Sequence, residues 1–137
     1  MGRFSVKLQL ANEQDMFLAS KGLLPADQVR RAEIDGLVDS GATRLVLPEK
    51  IGRDLGVPEG SSVVVKYADN RTADRASVHN VWLKIDGREA AFSAVLEPNR
   101  TTALVGAIVM EELDLVIDCT TQKLTPRDPD HVIAELE

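Results

Sequence analysis

Asp39-Ser40-Gly41-Ala42-Thr43 follows the mostly apolar run Ile34 to Val38, so an apolar strand breaks at a carboxylate into a glycine turn. A buried carboxylate held close to backbone amides is suited to acid/base chemistry, and its ionisation depends on what stands opposite it. The chain contains no second Asp-Ser/Thr-Gly. If Asp39 works with a matching carboxylate, that group comes from another copy of the protein. The remaining chemistry-bearing residues are sparse. His79 and His131 lack metal-ligand spacing with any Cys or acid pair and read as surface or loop residues. Glu111-Glu112 reads as the solvated face of a helix, and no phosphate-binding glycine loop is present. Neither a metal nor a cofactor is expected. Cys119, the single cysteine, cannot form an intrachain disulfide and reads as a small buried apolar residue.

The 137 residues, 44% of them hydrophobic, fit one soluble globular domain with a core about 28–125, N-terminal strands at 3–20 and a polar tail at 126–137. A net charge of -6 with scattered basic residues disfavours binding to nucleic-acid phosphates. No apolar run approaches a membrane span and no secretory lead is visible, which with the lone cysteine predicts a cytoplasmic protein. The sequons at Asn70 and Asn99 carry no weight without such a lead.

The elements that must position Asp39 are mostly strands. Phe4, Val6, Leu8 and Leu10 alternate with polar residues, the period of a half-buried strand. Met16 to Leu18 reads as a second short strand, and Val29 to Val38 as an extended segment leading into Asp39. Pro48 opens a short helix with Ile51 and Leu55 on one face and Gly56 as its stop. Val63 to Tyr67 predicts a hairpin with its exposed tip at Ala68-Asp69-Asn70-Arg71. Val81, Leu83 and Ile85, then Asp86-Gly87, then Ala90 to Leu96 predict a second hairpin. Leu104-Val105-Gly106 precedes a short helix over Ala107 to Leu113, Leu115 to Ile117 a short strand, and Asp128 caps a terminal helix through Leu136.

That order, from Asp39-Ser40-Gly41-Ala42 through a hairpin to Leu104-Val105-Gly106, a helix and Leu115-Val116-Ile117-Asp118, resembles the retropepsin-like aspartic proteases over about residues 31–124. The resemblance implies an all-β fold, a closed barrel of short strands with a flap hairpin and one or two short helices, as one protomer of a homodimer. It implies a peptidase without a cofactor, acting on polypeptides, in which Asp39 pairs with Asp39 of a second protomer across a two-fold axis. Two such carboxylates share one proton. One accepts a proton from a water held between them while the other donates to the scissile carbonyl oxygen. Ser40 would bond across the dimer, Gly41 would let the backbone approach the carboxylate, and Leu104, Val105 and Gly106 would pack behind the loop. Tyr67, Ala68, Asp69, Asn70 and Arg71 would form the flap, with Tyr67 and Trp82 as pocket walls.

Ala42 stands where pepsin-like relatives place a hydroxyl that favours the charged carboxylate, which implies activity at mildly rather than strongly acidic pH. Retroviral members pair an acid at the position of Thr43 with an arginine at that of Ala107, so the dimer here needs other contacts, such as the terminal strands. A retropepsin fold used only for peptide binding or dimerisation is an alternative. A more distant one is a DNA-binding regulator of the AbrB type, which Arg44 to Val65 also resembles in its strand, proline, short helix, Leu-Gly and strand order.

Overall fold

The computed structural model describes residues 4–136. Its strands are β1 (Phe4–Asn12), β2 (Arg31–Val38), β3 (Leu45–Pro48), β4 (Val63–Lys66), β5 (Thr72–Arg75), β6 (Ser77–Ile85), β7 (Arg88–Glu97), β8 (Ala103–Val105), β9 (Leu115–Asp118) and β10 (Lys123–Pro126). Three short helices join them: α1 (Glu13–Ser20), α2 (Glu49–Leu55) and α3 (Ala107–Leu113). The chain is thus mostly β, as expected, with three short α-helices where the resemblance implied one or two.

Six strands close a barrel in the order β1-β2-β8-β3-β7-β6, while β4-β5 and β9-β10 form separate two-stranded ribbons. Alternation drives the burial. Leu8 and Leu10 of β1 and Val81, Leu83 and Ile85 of β6 point into a common core with Val38, Leu45, Leu47, Leu96 and Val105. Between β6 and β7, Asp86 and Gly87 take φ of 48° and 93°, the left-handed pair a tight two-residue turn demands. Helix α2 starts after Pro48 and stops at Gly56 in the left-handed region, with Leu55 buried beneath it.

Four expectations need correction. Residues 13–20 hold one helix rather than a strand, because Asn12 is a helix cap. Its Oδ1 accepts from the Asp15 amide at 2.9 Å and its Nδ2 donates to the Leu55 carbonyl at 2.9 Å. Strand β1 is also no appendage to a core beginning near residue 28, since it pairs with both β2 and β6 and closes the barrel. The terminal helix is absent. Asp128 caps only a turn, His131 leaves it at φ 63°, and Val132, Ile133 and Leu136 stay exposed with no layer to bury them. Cys119 is exposed, because the turn joining β9 to β10 places it outside both strands.

Segment 44–65 is not a separate module. Its strand β3 is built into the barrel between β8 and β7. Among the described residues, no helix is long and apolar enough to cross a membrane.

Candidate active site

Strands β2 and β3 are consecutive in the chain but not adjacent in the barrel. Strand β8 lies between them, parallel to β2 with Val38 opposite Val105, and antiparallel to β3 with Val46 opposite Leu104. The Asp39–Arg44 connection must therefore cross the end of β8. Backbone bonds fasten it there. The Asp39 amide donates to the Val105 carbonyl at 3.1 Å, closing one side of the crossing. On the other side the first amides of α3 meet the loop, Ala107 N–H donating to the Ala42 carbonyl at 2.8 Å and Ile108 N–H to the Thr43 carbonyl at 2.9 Å. These are helix-end donors with no partner inside their own helix, so the loop supplies what the helix lacks.

Gly106 is the residue that permits this contact. A Cβ there would lie 2.6 Å from the Arg44 carbonyl oxygen, 2.7 Å from the Thr43 carbonyl carbon and 2.8 Å from the Ala42 carbonyl oxygen. Real side chains do not approach backbone so closely. The glycine is thus required by packing rather than by its own dihedral angles, its φ being -94°.

Asp39 is half-buried, not fully buried as the apolar strand before it suggested, because burial ends at Val38 and the loop opens outward. Its Oδ1 accepts from the Gly41 amide at 2.9 Å. A Cβ on Gly41 would stand 3.2 Å from that oxygen, so the glycine serves close approach to the carboxylate and not a left-handed turn. Ala42 N–H donates to the Asp39 carbonyl at 3.1 Å, a tight turn that presents Ser40, Gly41 and Thr43 to solvent. The structure thus brings Ala42, Thr43, Val105 and Gly106 against the Asp39 loop, with Leu104 one position back on β8.

The hairpin residues are placed differently. Tyr67 and Arg71 close the tip, with Tyr67 N–H donating to the Arg71 carbonyl at 2.8 Å, and Asn70 takes φ 70° in a three-residue loop. Tyr67 is engaged through its hydroxyl. Its hydroxyl donates to Glu97 Oε2 at 2.6 Å, and Arg75 Nε donates to Glu97 Oε1 at 2.7 Å, so one carboxylate ties hairpin β4-β5 to the end of β7. The Glu97 carboxylate, and after it burial, pushes the Tyr67 phenol above its ordinary range, with Arg75 opposing them. The Arg71 guanidinium stacks 4.8 Å from the Tyr67 ring and also pairs with Asp69, holding that carboxyl below its usual range. The side-chain bonds of Asp69 and Arg71 thus stay within the tip.

Trp82 lies toward the opposite end of β2 from Asp39. It shares a cavity with Arg31, Ala32 and Glu33 and donates to Glu89 at 3.0 Å. Sequence reasoning singled out neither Glu97, an ordinary strand-end acid by position, nor Arg44, whose surroundings come from β6 and β7 far along the chain. Among the described residues, no group of three or more His, Cys, Asp or Glu side chains is placed to hold a metal ion. No protein-family model matches this chain, and no curated protein matches it either.

Proposed function

We propose that the chain is one half of an aspartic endopeptidase of the retropepsin-like kind, completed by a second copy. The observation that carries this reading is the crossing at Asp39. A carboxylate is set on a loop laid over an interposed strand and pinned from both sides by backbone bonds, while the carboxylate itself remains half open to solvent. Such a loop fixes the group without enclosing it, which suits a carboxylate that must face a partner and a substrate.

In the proposed dimer the two Asp39 side chains meet across a two-fold axis and share one proton. The charged member takes a proton from a water between them as that water attacks the scissile carbonyl carbon. The protonated member donates to the carbonyl oxygen, giving a tetrahedral gem-diol. Collapse returns a proton to the leaving amine and breaks the C–N bond, with no covalent enzyme intermediate. The Gly41 amide holds Asp39 Oδ1 in orientation throughout. Activity at mildly acidic pH is expected because Ala42 offers no hydroxyl to the carboxylate.

Cleavage of a mixed peptide library by wild type and by Asp39→Asn, side by side, tests this reading. Wild type alone should release new termini. Equal release by both proteins removes the mechanism, and no release by either favours a fold used for peptide binding or dimerisation.

A further inference from the structure

Arg44 is the first residue beyond the Asp39 loop, and it is the one basic residue lining both of two adjoining cavities of about 220 and 490 Å³. Most described arginines are engaged. Arg30, Arg53, Arg71, Arg75 and Arg127 pair with carboxylates, and Arg88 and Arg100 donate to backbone carbonyls. Among the described residues, only Arg31 and Arg44 make neither kind of contact through their side chains. Arg31 shares its cavity with Glu33, whereas the smaller of the Arg44 cavities is lined by no acidic residue. Its polar lining is Arg44, His79 and three serines, Ser61, Ser77 and Ser93. The two acids nearby, Glu111 and Glu112, line only the larger cavity, on the α3 side of Arg44.

The smaller cavity is also held in shape. His79 Nδ1 and Ser93 Oγ lie 2.7 Å apart, linking β6 to β7 across the barrel's outer face. The other edge of the imidazole packs on the backbone at Gly60, where a Cβ would overlap Nε2. The Ser77 hydroxyl is committed to the Ser61 carbonyl. With Nδ1 protonated, His79 donates to Ser93 Oγ and leaves the Ser93 hydroxyl hydrogen free to point into the cavity. Arg44 and the hydroxyls of Ser61 and Ser93 thus line one cavity that holds a permanent positive charge, hydroxyl donors and no carboxylate, a lining that suits an oxyanion.

We propose that this cavity is an oxyanion site, occupied in a bound polypeptide by an acidic side chain near the scissile bond. Its place beside the loop rests on the peptidase reading, but the donor set does not. The Arg44 backbone abuts Gly106, so its side chain starts from the same crossing that carries Asp39.

Two measurements on the full chain test it. The first titrates inorganic phosphate while the His79 ring and Arg44 side-chain resonances are followed. Saturable shifts at both are expected, abolished in Arg44→Ala and weakened several-fold in Ser93→Ala, with Arg44→Lys retaining part of the effect. The second measures binding of paired peptides that differ only in Glu against Gln to Asp39→Asn protein, which does not depend on cleavage. The Glu peptide should bind about tenfold more tightly, a preference that Arg44→Ala erases. Unmoved resonances, or shifts that persist in Arg44→Ala, overturn the site. Phosphate binding without any preference for the Glu peptide overturns the peptide as its source and leaves a site for free phosphate. Peptide preference without cleavage by wild type would sink the peptidase reading and keep this one.

Discussion

Gly106→Ala puts a methyl group into backbone. The added Cβ would meet the Arg44 oxygen, the Thr43 carbon and the Ala42 oxygen at 2.6, 2.7 and 2.8 Å, none of them the movable end of a side chain. Either the Asp39 loop lifts or α3 withdraws, and both routes break the bonds from the Ala107 and Ile108 amides to the loop. Overpacking a tight site costs about 1–3 kcal/mol. Each lost amide bond adds about 0.5–1.5 kcal/mol. The sum is about 2–6 kcal/mol, and at about 3–4 °C per kcal/mol for a chain of this size the midpoint should fall by at least about 6 °C. Thermal and urea unfolding followed by circular dichroism measure it. Gly41→Ala is the internal control, since its Cβ would approach only Asp39 Oδ1, at 3.2 Å, and it should stay within about 1 kcal/mol of wild type. A Gly106→Ala protein that melts within about 2 °C of wild type, or a Gly41→Ala protein that loses more, refutes the packing argument.

Other perturbations probe the supports of the site. Asn12→Ala removes a fully buried cap and leaves the Leu55 carbonyl unpaired, so urea unfolding should show a loss of about 2–4 kcal/mol; a loss under about 0.5 would contradict the bonding described. The bonds from Arg30 hold the Asp15 carboxyl below its ordinary value of 3.8. A carboxyl depressed on folding contributes stability that is present above its unfolded value and is lost as pH falls through the folded one. Asp15→Asn should thus be less stable than wild type by about 1.5 kcal/mol at pH 7, the low end for a charged bond because Arg30 is half in solvent. That gap should begin to narrow as pH falls below about 4, and a gap unchanged at pH 3 would count against it. Glu97→Ala should release hairpin β4-β5, speeding hydrogen exchange at the Tyr67 and Asn70 amides several-fold while the β1 and β6 amides keep their rates. Uniform rates across the chain would show that Glu97 restrains nothing.

Local chemistry made several elements readable in advance. The two-residue period of β1, the Asp86-Gly87 turn, and Pro48 with Gly56 around α2 each act within a few residues, so the sequence carries them whole. The strand expected at Met16 to Leu18 passes over a local signal, Asn12 capping the Asp15 amide three residues on, and only the anchor from Asn12 to the Leu55 carbonyl, 43 residues away, is non-local. The expected terminal helix failed for a non-local reason: a capping residue at Asp128 begins a turn, but Val132, Ile133 and Leu136 have no layer in the protomer to bury them. At Cys119 position in a turn, not residue type, decides exposure. The motif at Asp39 was plain, whereas its exposure and the bonds that pin its loop depend on β8 entering between β2 and β3, a non-local pairing. Arg44 drew notice only within the DNA-binding comparison, since the serines and histidine around it come from segments 17 to 49 residues further along.

The central claim is that two Asp39 side chains from two chains make one site. Mixing tests it most directly: wild type is equilibrated with a ninefold excess of Asp39→Asn, and peptide hydrolysis is read per wild-type chain. Random pairing leaves only about one wild-type chain in ten with an intact partner, so activity per wild-type chain should fall about tenfold. Activity per wild-type chain that does not change on mixing, under conditions where the subunits exchange, would mean that each chain carries a complete site and would contradict the account.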